Sequence, residues 1–259
     1  MTNTLRLLSY NIRQGGVGRE DALAAAIREA RPDVAILQEA TRPVVVERLA
    51  AATGLRHWGC RRGDSLAFLT REPVVSAAWH RPRLSRHAFL ELLPAGRAWR
   101  VFGVHLSAVH AAWTERRRLM ELRSLLDAIR SHQHGPHVLI GDFNTVSPGE
   151  IFDFRQLPAR LRTLVWLSGG RVRWRTIQAI IDAGYRDAFR RLHPDRVGYT
   201  FPSWQPHVRL DYLFVPEGFI EHIVCCDVRE GVETRGASDH LPIAVELRVG
   251  SGWTDRTHL

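Results

Sequence analysis

Lysine is absent: all 36 basic residues of the 259-residue chain are arginine. Against 27 acidic residues this leaves a formal net charge of +9. Such an excess invites a polyanion, either nucleic acid or an anionic membrane surface. Arginine-only, alanine-rich usage is also what a GC-rich genome produces unaided. Cysteine is scarce: Cys60, Cys225 and Cys226 are odd in number, have no metal-like spacing, and the adjacent pair does not readily bridge. This argues against a disulfide framework and predicts a reducing, cytoplasmic compartment. No apolar run reaches the roughly 18 residues of a membrane span. The opening MTNTLRLLSYNIRQGG has no apolar segment of signal length, so no secretory leader is expected. No repeat, low-complexity tract or linker divides the chain. One domain is expected over residues 1–249, with a short polar tail at 250–259. Nothing fixes an oligomeric state, and a monomer is the default expectation.

What is present is organised around Val138 to Pro148, VLIGDFNTVSP. Val138, Leu139 and Ile140 read as a buried strand. It breaks at Gly141, where the backbone turns with no Cβ to clash. If the chain stays extended, period-2 alternation puts Asp142 and Asn144 on one face and Phe143 toward a core. Ser147-Pro148-Gly149-Glu150 predicts a helix start, with Ser147 as N-cap, Pro148 first in the helix and Glu150 closing a capping box. A carboxylate and a carboxamide at a strand exit suit the chemistry of open α/β sheets. A polar turn with an Asx cap is the plain alternative.

In chain order, Leu5 to Ile12 predicts a first strand, followed by a loop with Gly15, Gly16 and Gly18. Residues 20–30 predict an amphipathic helix that stops before Pro32. Asp33 to Leu37 predicts a second strand that delivers Gln38 and Glu39, and Pro43 to Ala52 a second helix closed near Gly54. Five strand-like pieces, 55–60, 65–70, 74–79, 88–93 and 99–105, are separated by Gly, Pro and charged turns, the signal of an antiparallel meander. Residues 113–131 predict a long helix with Leu119, Leu122, Leu125, Leu126 and Ile129 on one face. Residues 152–182 read as an irregular basic insertion, and strands are expected at 209–215, 220–227 and 241–247. Strand-rich halves with few helices suggest two sheets packed face to face, helices outside.

Polar residues recur where these strands stop: Asn11, Glu39, His105, Asp142, Asn144, Asp211, Asp239 and His240. A Mg²⁺-type ion takes oxygen ligands, which Glu39, Asp239 and the Asn11 carboxamide could supply. Phosphate-ester hydrolysis also needs an activated water and stabilised phosphoryl charge, work for the two histidines and the other carboxylates. Each residue has a plainer reading. Asn11 and His240 suit turns, Glu39 a solvated strand end, His105 a satisfied core histidine. Asp211 is hardest to explain away, because an unpaired carboxylate inside the apolar run Leu210 to Phe214 is costly.

Six segments, LLSYNI, ILQE, VFGVHL, IGDFN, RLDYLFV and SDHLPI, occur in that order. Together they closely resemble the endonuclease/exonuclease/phosphatase superfamily, DNase I-like and exonuclease III-like, over about Leu5 to Leu247. The resemblance implies a four-layer α/β/β/α sandwich of two mixed β-sheets flanked by helices, with the site at one rim. It also implies Mg²⁺- or Mn²⁺-dependent attack of water on phosphorus. By the same resemblance Glu39 would be the principal metal ligand, helped by Asn11 and Asp239. Asp142 would orient or deprotonate the water, and Asn144 would hold Asp142 and a phosphate oxygen. His240, polarised by Asp211, would hydrogen-bond the phosphate or act as base. His105 is similar to the branch with a histidine at this point, as in DNase I, neutral sphingomyelinases and inositol-polyphosphate phosphatases. Arg13 stands where exonuclease III-like members usually carry an acidic residue. It could contact a phosphate or weaken the idea of a second metal. Both departures point away from abasic-site repair.

Arg171, Arg173 and Arg175, interleaved with Trp166 and Trp174, suit a nucleic-acid strand through phosphate contacts and base stacking. Leu164 to Leu167, flanked by arginines, would instead suit peripheral contact with an anionic bilayer, and a helix packed on the domain with solvated arginines is the plain alternative. Trp204, just before the Asp211 strand, suits stacking on a base or sugar or plain packing. The sequence thus leads to a metal-dependent phosphoesterase, first a nuclease on DNA or RNA. The alternatives are a phospholipid or small phosphate-ester hydrolase, and a non-catalytic nucleic-acid-binding module.

Overall fold

The structure, a computed structural model, describes residues 4–82, 85–108, 112–132, 135–150 and 174–249. Two six-stranded mixed sheets pack face to face. The first contains β1 (Thr4–Asn11), β2 (Val34–Gln38), β3 (His57–Cys60), β4 (Ala67–Thr70), β11 (Ile223–Val228) and β12 (Ile243–Arg248), in the order β11-β12-β1-β2-β4-β3. The second contains β5 (Val74–His80), β6 (Phe89–Pro94), β7 (Arg100–His105), β8 (His137–Asp142), β9 (Tyr185–Asp187) and β10 (Asp211–Pro216), in the order β5-β6-β7-β8-β10-β9. The helices are α1 (Glu20–Ala30), α2 (Pro43–Thr53), α3 (Ala112–Ala128), α4 (Arg175–Asp182), α5 (Ala188–Leu192) and α6 (Val232–Ala237).

Alternation along the strands builds the layers. Leu5 and Leu7 of β1, Val34 and Ile36 of β2, Val138 and Ile140 of β8, and Leu213 and Val215 of β10 fill the space between the sheets. Leu8 and Tyr10 turn outward to meet Leu23 and Ile27 of α1 and Val46 and Leu49 of α2. On the other side Phe102, Leu139 and Phe214 meet Leu122 and Leu125 of α3 and Ile177 and Ile180 of α4. The expected four layers are therefore present.

Several expectations need correction. The five middle strands are not one meander. β3 and β4 form a hairpin paired to β2 in the first sheet, while β5, β6 and β7 run on in the second. Ser147 to Glu150 form a turn rather than a helix start; the Glu150 N–H donates to the Ser147 carbonyl at 3.3 Å. The Glu150 carboxylate is taken by the Arg190 and Arg209 guanidiniums, which outbid a capping box. Gly141 does not end its strand but lies within β8, and a Cβ there would stand 1.9 Å from the Val104 carbonyl oxygen. Residues 152–173 of the expected insertion, and the 250–259 tail, lie outside the described residues. The end of the insertion is regular: α4 buries Ile177 and Ile180.

Helix α3 carries the expected apolar face, and beside it a buried polar one. Glu115, Arg118 and Glu121 are nearly inaccessible. Glu115 accepts from Arg118, from the Thr145 hydroxyl and from the Thr176 N–H, while Glu121 accepts the backbone N–H of Ser107 and of Arg86. These charges satisfy loop backbone that the apolar layers leave unpaired.

Candidate functional site at the sandwich rim

Sheet direction explains where the polar residues gather. β1 and β2 are parallel, as are β7 and β8. β12, β4 and β10 run antiparallel to them, and β6 runs antiparallel to β7. C-terminal ends of the first group and N-terminal ends of the second therefore share one rim. There the inward-facing alternation continues past the apolar core into Asn11 on β1, His105 on β7, and Asp142 and Asp211 on β8 and β10. His240 stands just before β12 and Ser65 just before β4.

Asp142 is the hub. It is 1% exposed. Its Oδ2 accepts the side-chain amides of Asn11 at 3.0 Å and Asn144 at 3.1 Å, and its Oδ1 accepts the Asn144 backbone N–H at 2.8 Å. Asn144 also donates to the Leu106 carbonyl at 3.0 Å. Asn144 reaches Asp142 through a left-handed turn, φ 52°, rather than through an extended strand. His240 lies between two carboxylates: Nδ1 is 2.9 Å from Asp211 Oδ2, and Nε2 is 3.9 Å from Asp142 Oδ2. Burial alone would lower the His240 pKa, but the Asp211 and Asp142 carboxylates outweigh it and push it up to about 10. Burial, reinforced by the facing Asp211, raises Asp142 to about 7 despite the His240 charge and the donated hydrogen bonds. Asp211 Oδ1 is buried with no hydrogen-bond partner among the described residues. Stability is given up here to hold charge in place.

Asn11 links this centre to Glu39, its Nδ2 lying 3.4 Å from Glu39 Oε1. Glu39 is bound into its turn: Oε2 accepts the Gln14 N–H, and its carbonyl accepts the N–H groups of Gly15 and Thr41. The Arg13 N–H donates to Asn11 Oδ1 at 2.9 Å, and the Arg13 Nε lies 3.4 Å from Asp239 Oδ2. Among the described residues five non-glycine positions have positive φ: Arg13, Gln14, Arg31, Glu39 and Asn144. Arg31 caps α1, and the other four adjoin or belong to this site, where strained backbone commonly collects. Asn11, Glu39 and Asp239 together offer oxygen donors alone, which fits a hard divalent cation. Asp142, Asp211 and His240 also lie close enough to hold an ion. Those three are also joined to one another, by the Asp211–His240 hydrogen bond and by the approach of His240 Nε2 to Asp142.

The remaining predicted residues spread more widely. His105 directly faces Asp142 in the β7–β8 register, and its Nδ1 meets the Ser65 hydroxyl at 2.9 Å. Trp204 is 62% exposed, in a loop whose neighbour Ser203 donates its N–H to the Asp239 carbonyl. Arg175 begins α4, exposed, with no bond to a site residue among those described. Arg171 and Arg173 lie outside the described residues. Sequence reasoning missed Ser65 and His87. Both precede antiparallel strands, at N-terminal ends that topology brings to this rim, whereas strand exits were the sign being followed.

The fold is similar to solved structures. A 3′ phosphatase from Neisseria bound to a product DNA hairpin matches with a TM-score of 0.70 at 19% identity, covering 94% of this chain and 99% of that one. An AP endonuclease from Archaeoglobus fulgidus matches with a TM-score of 0.72 at 18% identity, covering 95% and 100%. An endonuclease/exonuclease/phosphatase from Beutenbergia cavernae matches with a TM-score of 0.67 at 22% identity, covering 95% and 72%. No curated protein matches the chain significantly. Residues 8–240, nearly all of the sandwich and every residue of the rim site, match the model of the endonuclease/exonuclease/phosphatase family, and the chain belongs to that family.

Proposed function

We propose that the chain hydrolyses phosphodiester bonds of nucleic acid with the help of Mg²⁺ or Mn²⁺. One observation carries this reading. Asp142 is a buried carboxylate poised near neutrality, fixed by two carboxamides and facing a cationic imidazole. A base is most effective when its pKa lies near the working pH.

Asn11, Glu39 and Asp239 would hold the ion, which when bound supplies Lewis-acid polarisation of a phosphoryl oxygen. Asp142 takes a proton from the attacking water as the water oxygen bonds to phosphorus and the ester P–O bond opposite it breaks. Asn144 and Asn11 keep the carboxylate from rotating away. The 3.9 Å from His240 Nε2 to Asp142 is too long for a direct hydrogen bond. That N–H is therefore available to a phosphoryl oxygen, where a cation offsets charge built up in the transition state. Asp211 keeps His240 charged and oriented. The Arg13 guanidinium, with its side chain 45% exposed, reaches substrate phosphate from beside Asp239.

Nucleic acid is favoured by the net charge of +9 and by the DNA-bound phosphatase and the AP endonuclease among the similar structures. The test is a panel of plasmid, single-stranded DNA, RNA, abasic duplex, sphingomyelin and bis-p-nitrophenyl phosphate, each with Mg²⁺, Mn²⁺ or chelator. Metal-dependent cleavage of a polynucleotide is expected. Cleavage of sphingomyelin alone, or undiminished activity in chelator, overturns the reading.

A further inference from the structure

The two rim histidines sit in opposite electrostatic surroundings. His240 has a carboxylate at Nδ1 and another beyond Nε2. His105 has a hydroxyl at Nδ1, and its ring face is covered by His87, centroids 4.5 Å apart and planes 20° apart. A hydroxyl gives an imidazolium no counter-charge, and two stacked imidazoliums at that distance would repel. The charged groups around this pair are Arg81 and Arg86 in the β5–β6 connection, Arg117 and Glu121 on α3, His240 from the other sheet, and Asp142, which faces His105 across the β7–β8 register. Glu121 already accepts from the Ser107 N–H and hydroxyl, from the Arg86 N–H, and pairs with Arg117, while Asp142 accepts the Asn11 and Asn144 amides. Burial first, then the positive charge of these neighbours, holds His105 well below the ordinary histidine range.

The Ser65 hydroxyl decides the tautomer. Ser65 is 6% exposed, so its proton has little access to solvent. Among the described residues the Ser65 Oγ bonds only to His105 Nδ1, which leaves that nitrogen as the one acceptor for the proton. If Ser65 donates, Nδ1 is the bare nitrogen and Nε2 carries the hydrogen. Ser65 is itself anchored. Its carbonyl accepts the Ala40 N–H at 2.9 Å, next to Glu39, and its neighbour Asp64 pairs with Arg81. Arg81 also reaches the Arg86 carbonyl, so the segment bearing His87 is tied to the segment bearing Ser65.

We propose that Ser65 and His87 are positioning residues that hold His105 as the neutral Nε2–H tautomer, so that its Nε2–H donates to a phosphoryl oxygen. The role toward phosphate rests on the hydrolase reading above; the tautomer does not.

The test is a long-range ¹H–¹⁵N histidine spectrum of the full ¹⁵N-labelled chain at neutral pH, without substrate. His105 is assigned as the ring missing from the His105→Gln spectrum. A neutral ring protonated at Nε2 is expected. An imidazolium, or a ring protonated at Nδ1, overturns the proposal, and the wild-type protein alone decides this. Ser65→Ala should then shift the ring toward Nδ1–H. It should also lower kcat on bis-p-nitrophenyl phosphate about ten- to hundredfold with KM little changed, the scale of losing a partner that orients a functional histidine. Ser65→Thr keeps the hydroxyl and should restore both. A Ser65→Ala protein with wild-type tautomer and wild-type kcat overturns the proposal. The expected tautomer in a wild-type chain that cleaves no phosphate ester upholds the positioning and refutes only the hydrolase reading.

Discussion

Asp142 and Asp211 lie directly opposite each other on paired antiparallel strands, both buried and both turned toward the inside of the sandwich. Facing carboxylates at this spacing repel. The His240 imidazole answers both, hydrogen-bonded to Asp211 and turned toward Asp142. The register of one strand pair thus raises the proton affinity of both Asp142 and His240.

Stability should consequently depend on the protonation of His240. Its folded pKa of about 10 lies above the ordinary histidine value of 6.5. A raised histidine gives stability that is complete below the unfolded value and is lost as pH rises through the folded one. Urea midpoints in chelator should therefore fall between pH 6.5 and about 10. The buried Asp142, raised to about 7, adds a slope of the same sign at lower pH, since the folded chain again binds the proton more tightly. His240→Gln should flatten the upper part of the curve, and an unchanged slope in that variant would refute the triad.

Asp142→Asn removes the proposed base while keeping the side chain's shape. Turnover should fall on the order of 10²-fold or more. Circular dichroism melts must show a folded variant for the measurement to count. Near-wild-type turnover by folded protein excludes Asp142 as the group that activates water.

Glu39→Gln removes one charge from the oxygen donors but keeps an acceptor. The Mg²⁺ concentration for half-maximal activity should rise at least about tenfold, with activity partly recovered at saturating metal. A superimposable Mg²⁺ titration would remove Glu39 from the ligand set.

Much of this site was legible because inward alternation is a simple rule. Leu7-x-Ser9-x-Asn11 and Val138-x-Ile140-x-Asp142 carry the core face straight into the rim. What stayed hidden depends on partners distant in sequence. Glu115, Arg118 and Glu121, spaced at three residues on α3, look like a solvated charged stripe. They are buried because N–H groups in the loops at Arg86 and Ser107 and in the first turn of α4 at Thr176 need acceptors. Ser147 to Glu150 spells a capping box, yet Arg190 and Arg209, some 40 and 59 residues away, claim its glutamate. His87 became visible only once β6 was known to run antiparallel to β7.

Arg13 separates substrate binding from chemistry. Its guanidinium is half exposed beside Asp239, and its backbone is locked at φ 50° by Asn11 and Arg19. Arg13→Ala should raise KM for DNA several-fold with little change in kcat. It should also reduce the slope of log affinity against log salt by about one, the change for one lost phosphate contact. An unaltered slope, measured by binding in Ca²⁺ or chelator, means that Arg13 does not touch phosphate.

Gly141 tests how the fold sets the site. It sits in β8 one residue before Asp142, at φ 154°. A Cβ there would stand 1.9 Å from the Val104 carbonyl oxygen and 2.9 Å from the Val104 nitrogen. Those are backbone atoms of the parallel neighbour β7, so no side chain can swing aside. Either β7 and β8 separate, or the Asp142 end of β8 tilts. Separation would break the pairing that carries His105 beside Asp142. Gly141→Ala should therefore destabilise the fold by about 3 kcal/mol or more, the upper range for overpacking that only backbone can relieve. Whatever remains folded should also lose turnover more than substrate affinity, because the Asp142 carboxylate moves while Arg13, in the turn after β1 of the other sheet, stays. A Gly141→Ala protein with wild-type urea midpoint and wild-type kcat would show that this close approach does not hold the site together.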